Sequence, residues 1–111
     1  MKQYEIWWAR FPDPVGARPV MLLSRDAAYE YLSKYVVVEI TTRIRAIPQE
    51  VPLGKREGLP SRCVANFDNL HVMDGQRLKR RMGSLARTRE PEVKHALGHA
   101  LAWPELVALS V

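Results

Sequence analysis

Apolar and polar side chains alternate almost from the first residue. Between Gln3 and Phe11, Tyr4, Ile6 and Trp8 fall on one side and Glu5, Trp7 and Ala9 on the other, the period of a β-strand. Phe11-Pro12-Asp13-Pro14-Val15-Gly16 breaks the pattern with two prolines and a glycine and predicts a turn. Pro19 to Leu23 is continuously apolar, as in a strand covered on both faces. Ser24 or Asp26 offers a cap for a short helix over Ala27 to Lys34. Tyr35 to Thr42 is rich in β-branched residues and predicts a third strand. Pro48 and Pro52 restrict the next segment to an edge or irregular strand, because proline has no N–H for the ladder. Gly54 to Ser61 reads as a loop. Arg62 to Phe67 and Leu70 to Met73 read as two short strands joined by Asp68-Asn69, and Asp74-Gly75 opens a basic turn-and-strand running to Leu85. The tail is a helix with Pro91 in its first turn, an apolar stripe of Val93, Ala96, Leu97, Ala100 and Leu101, and Pro104 as its stop. Short strands with one terminal helix predict a mainly β fold, a small, strongly bent sheet or barrel packed by that helix.

The chain has 111 residues, the length of one domain, and no linker or repeat divides 1–111. Hydrophobic residues make up 47% and charged residues 26%, the balance of a folded soluble chain. The apolar run Tyr35 to Val38 is too short to span a membrane, and the N-terminus lacks a signal-peptide core, so the expected setting is the cytoplasm, away from membranes. The single Cys63, within an apolar run, is expected to be a buried side chain.

A net charge of +5 points to an anionic partner, nucleic acid or an acidic protein. Six of the basic residues (Arg77, Lys79, Arg80, Arg81, Arg87 and Arg89) crowd a stretch that contains no acid. A phosphate backbone is attracted to such a stretch whatever its base sequence; a solvated face is the plain alternative. His95 and His99, four apart, share a helix face, but beyond Glu92 no third ligand stands near, so no metal or cofactor is expected. No nucleophile elbow and no glycine-rich phosphate loop occurs. Trp7, Trp8 and Trp103 are candidates for stacking on bases, though an alternating strand should bury at least one in the core.

Four segments, taken in order, resemble the MazF/PemK/Kid toxins of type II toxin–antitoxin systems. They are Glu5 to Pro14, with its Asp-Pro turn; Arg18-Pro19-Val20 to Ser24; Val36 to Ile44, with its Ile-Thr-Thr end; and Phe67-Asp68-Asn69-Leu70-His71 to Asp74, followed by Arg77-Leu78 and Arg81 to Leu85. The match spans about residues 4 to 101, and its specificity lies in order and spacing rather than in one motif. The resemblance implies an SH3-like barrel of the CcdB/MazF type, a homodimer, a cognate antitoxin that blocks it, and cleavage of single-stranded mRNA or tRNA without metal or cofactor, leaving 2′,3′-cyclic phosphate and 5′-hydroxyl ends. It places Arg18 at the family's catalytic arginine and Thr41 at its catalytic threonine. Thr42, Arg43, Asp68, Asn69 and His71 become candidates for contacting RNA. Taken without the family, Arg18 is a residue at a strand start, Thr41 an ordinary strand residue and Asp68 a turn cap. The loop before Arg18 is only Val15-Gly16-Ala17, shorter than in many relatives, and leaves the proton acceptor unassigned; His71 is a candidate by residue type. A non-catalytic gyrase inhibitor on the same barrel, acting through the helix that ends at Leu101-Ala102-Trp103, is the alternative from another class. A degenerate member that binds RNA or antitoxin without cutting is the third.

Overall fold

The computed structural model describes residues 1–109. Six strands form one sheet in the order β4-β5-β3-β2-β1-β6, and every neighbouring pair is antiparallel. They are β1 (Glu5–Arg10), β2 (Ala17–Leu22), β3 (Lys34–Thr41), β4 (Glu50–Leu53), β5 (Cys63–Asp74) and β6 (Leu78–Ser84). A single helical turn, α1 (Ala28–Tyr31), links β2 to β3, and α2 (Glu90–Leu101) and α3 (Pro104–Val107) follow the sheet. This is the expected mainly β fold with a terminal helix.

The apolar run in β2 sits at the centre of the sheet, and Val20, Met21 and Leu22 are wholly buried. Successive side chains of a strand point to opposite faces, so this run feeds two cores. Met21 joins Ile6, Val38, Ile40, Ala65 and Phe67 on the face that α2 covers with Val93 and Ala96. Val20 and Leu22 join Ala9, Tyr35, Val37 and Met73 on the other face, against which Trp7 and Tyr29 pack. Cys63 is buried, as expected. No tryptophan is fully buried: Trp7 and Trp8 are half-buried and Trp103 is exposed, because β1 lies near the sheet margin and the core beneath it is filled by Ile6 and Ala9.

The sheet curls until its two edges approach. The segment after β4 crosses to β6, where Gly58 lies against the Met82 carbonyl and Gly83 against the Glu57 carbonyl. A Cβ on either glycine would stand 2.1 Å from the facing carbonyl oxygen, so both positions require a bare backbone. Gly58 also has φ +92°, a conformation that favours glycine.

Three predicted elements differ. The two strands expected at Arg62–Phe67 and Leu70–Met73 are one 12-residue strand, β5, because β3 pairs with it on both sides of Asp68-Asn69, from Val64 to Asn66 and from Leu70 to Asp74. Asp68-Asn69 is a bulge within it: Glu39 pairs with Asn66 and Val38 with Leu70, and the Asp68 N–H donates to Asn66 Oδ1 at 2.9 Å. The helix expected over Ala27 to Lys34 is only one turn, because its candidate caps are engaged elsewhere. Ser24 Oγ accepts from the Val36 N–H and Asp26 Oδ1 from the Gln3 N–H. Finally α2 ends at Ala102, which takes a left-handed conformation while the Trp103 N–H donates to the Gly98 carbonyl. Pro104 opens α3 rather than stopping α2, as suits a residue with no N–H to leave unpaired in a first turn.

Candidate active site

The β2–β3 ladder pairs Val20 with Glu39, and continuing the register two residues sets Arg18 across from Thr41. Arg18 opens β2 and Thr41 closes β3, so the sheet delivers both to one end of the barrel. There they line a single cleft of about 870 Å³. Its wall is apolar, from Trp8, Ile40, Leu59, Cys63 and Met82, and its rim is polar, from Arg18, Thr41, Thr42, Lys55, Ser61 and Arg80. An apolar wall with a few convergent polar groups is the usual form of a ligand site. Three cations and no carboxylate among the lining residues suit it to an anion.

The two predicted catalytic groups are differently held. The Thr41 Oγ1 accepts from the Arg43 N–H at 3.1 Å, which fixes the oxygen and leaves the hydroxyl hydrogen to donate. The Arg18 side chain is 46% exposed, and Nη1 donates to Glu39 Oε1. Its remaining fork of donors has no partner among the described residues and can meet a phosphate. Glu39 is itself only 13% exposed, and its other oxygen, Oε2, lies 3.0 Å from His71 Nε2.

Of the other sequence candidates, Thr42 lines the cleft, while His71 does not line it and touches the Glu39 carboxylate that also holds Arg18. Arg43 is exposed just past β3. Asp68 and Asn69 are exposed on the β5 bulge, beside the strand position of Glu39, and do not line the cleft. The Cys63 thiol faces the cleft wall, but burial pushes it above its ordinary range, which keeps it protonated and unreactive. His95 and His99 share a face of α2 with ring centroids 4.6 Å apart, and His95 Nδ1 lies 3.4 Å from the Val107 carbonyl.

The basic stretch is not one free surface. Arg81 pairs with Glu5, Arg87 with Asp26 and Glu90, and Arg89 with Glu92 and Glu57, while Arg77 and Lys79 donate to backbone carbonyls. Arg80 has no partner among the described residues and lines the cleft. The sequence reading missed Glu39 and Lys55; Trp8, one of its candidates for stacking on bases, forms part of the apolar wall. The visible signal for Glu39 was a lone charge inside an otherwise apolar strand.

The fold and cleft define a small β-barrel with a cationic site at the open end, and comparison with known proteins places it more closely. Residues 2–101 match the family model described as PemK-like, MazF-like toxin of type II toxin-antitoxin system, and the chain belongs to this family. Probable endoribonuclease MazF2 of Mycobacterium tuberculosis is 36% identical over 98 residues, covering 87% of this chain and 94% of that protein. The solved structure of the Mycobacterium tuberculosis toxin MazF-mt6 superposes with a TM-score of 0.83 at 32% identity, covering 88% of this chain and 96% of that one. A mycobacterial endoribonuclease in complex with its cognate antitoxin shares the fold, with a TM-score of 0.81 at 24% identity over 94% of this chain and 97% of that one.

Proposed function

We propose that this chain is the toxin of a toxin–antitoxin pair and an endoribonuclease that cuts single-stranded RNA without a metal, working in the cytoplasm as a homodimer until an antitoxin covers it. The observation that carries the reading is the convergence of Arg18 and Thr41 on one cationic cleft. RNA brings its own nucleophile, the 2′-hydroxyl, so a site need only align that oxygen with the neighbouring phosphorus and stabilise charge growing on the phosphate. The Arg18 fork binds the non-bridging oxygens and the Thr41 hydroxyl donates to one of them. The O2′–P bond forms as the P–O5′ bond breaks, giving a 2′,3′-cyclic phosphate and a 5′-hydroxyl. Thr42 on the cleft rim, and Arg43, Asp68, Asn69 and His71 outside its lining, serve as contacts for flanking nucleotides. Trp8 offers a face on which a base can stack, and Arg80 and Lys55 attract the backbone. Family membership and the named activity of MazF2 support the nuclease and the antitoxin partner.

The test is incubation of purified protein with a long RNA in excess EDTA, with the fragment ends mapped. Cleavage with 5′-hydroxyl ends that survives the chelator is the expected result. Intact RNA together with poisoned gyrase on DNA would instead establish the non-catalytic reading.

A further inference from the structure

We propose that Glu39 is a positioning residue that makes His71 the proton acceptor for the 2′-hydroxyl, an inference that rests on the nuclease reading above. Glu39 is a carboxylate in a strand whose neighbours are Val37, Val38 and Ile40, and both its oxygens are engaged, Oε1 by Arg18 and Oε2 by His71. At 13% exposure and with both oxygens occupied, it does not meet a substrate itself. It acts through the two groups it holds.

The contact dictates the chemistry of the ring. A carboxylate oxygen 3.0 Å from Nε2 accepts a hydrogen bond there, so a neutral imidazole carries its proton on Nε2 and its lone pair on Nδ1. Nδ1 has no hydrogen-bond partner among the described residues, and the side chain is 37% exposed. The Phe11 ring packs edge-on against the imidazole, with centroids 5.2 Å apart and planes at 69°, and restrains its rotation. The β5 bulge makes the arrangement possible. His71 pairs with Val37, and without the bulge Asn69 would stand opposite Glu39; the extra residues swing Asn69 out and leave His71 to lean along the strand onto the carboxylate.

Arg18 and His71 therefore occupy the two oxygens of one carboxylate, and a phosphate on the arginine fork brings its adjoining ribose toward the imidazole. His71 Nδ1 takes the 2′-hydroxyl proton as O2′ bonds to phosphorus. The P–O5′ bond breaks, O5′ takes a proton from water at the cleft mouth, and the imidazolium, steadied by Glu39, returns its proton to solvent. Arg18 and His71 are 46% and 37% exposed but the carboxylate between them only 13%, so each variant is read only once its melting point matches the wild type.

The experiment combines long-range 1H–15N spectra of the imidazole nitrogens, recorded near pH 8, with cleavage kinetics of Glu39→Gln, His71→Asn and the double variant. In the wild type His71 is expected to be protonated on Nε2 and bare on Nδ1, a preference lost in Glu39→Gln. Each single variant lowers kcat by about 10- to 100-fold with little change in KM, and the double variant is no worse than His71→Asn alone. A ring protonated on Nδ1 overturns the proposal, as does Glu39→Gln cutting at the wild-type rate. A Glu39→Gln cost that persists undiminished in the His71→Asn background also overturns it, because Glu39 then acts through Arg18 alone. A wild type that cuts no RNA sinks the nuclease reading itself, which the spectra would distinguish from failure of the pairing.

Discussion

Closure of the barrel depends on two bare backbones, and replacing Gly83 by alanine tests it. The added Cβ would stand 2.1 Å from the Glu57 carbonyl oxygen and 2.7 Å from its carbon, well inside ordinary contact at 3.4 Å. Both partners are main chain, so the conflict is relieved only by moving β6 or the turn at Lys55–Glu57 by more than about an ångström, and overpacking of this kind costs about 3 kcal/mol. The displaced segment carries Lys55, Leu59 and Ser61, so the cleft widens as stability falls. Urea unfolding should show the midpoint drop with an unchanged slope, and melting should fall by more than 10 °C, at about 4–8 °C per kcal/mol for a domain near this size. Gly54 is the control: a Cβ there meets nothing within 4 Å, and Gly54→Ala should stay within about 0.5 kcal/mol of the wild type. If Gly83→Ala were as stable as Gly54→Ala, the edges of the sheet would not meet as described.

The remaining predictions concern charge. Glu92 is held below its ordinary value by hydrogen bonds from Arg89, and Glu90 by the hydroxyl of Tyr4 and by Lys94. Groups depressed in the folded state stabilise it fully above their unfolded value, near 4.5, and lose that contribution as pH falls through the lower folded value. Glu92→Gln should therefore flatten the loss of stability below about pH 4.5 and reduce stability at neutral pH, read by unfolding curves across that range. Arg80→Ala, which removes an unpartnered cation from the cleft rim, should weaken RNA binding and lower the slope of log affinity against log salt by about one; Arg81→Ala, whose guanidinium already faces Glu5, should change both much less.

Periodicity made most of the fold legible. The unbroken apolar run of β2 announced a strand buried on both faces, the proline-flanked β4 announced an edge, and the stripe from Val93 to Leu101 announced the covering helix. What it missed were competitions settled by partners distant in sequence. Asp68-Asn69 has the chemistry of a turn, and only the continuous β3 beside it turns the pair into a bulge. Ser24 and Asp26 have the chemistry of helix caps, and only the backbone N–H groups of Val36, in β3, and of Gln3, in the turn before β1, draw them away. The basic stretch looked uniform because a sequence does not show that Glu5, Glu57 and Glu92 return to neutralise part of it. Arg18 and Thr41 were found through resemblance; residue type alone marks neither. Glu39 was passed over because its two partners lie on different strands, at positions no local pattern connects.

The central claim, that Arg18 and Thr41 act together on one phosphate, is tested most directly by single-turnover cleavage of a short RNA by Arg18→Ala, Thr41→Val and the double variant, each checked for an unchanged melting point. The account predicts a loss of about 100- to 1,000-fold for Arg18→Ala, a smaller loss for Thr41→Val, and a double variant well short of the product of the two. Wild-type rates in Arg18→Ala, or losses that multiply as for independent sites, would contradict it.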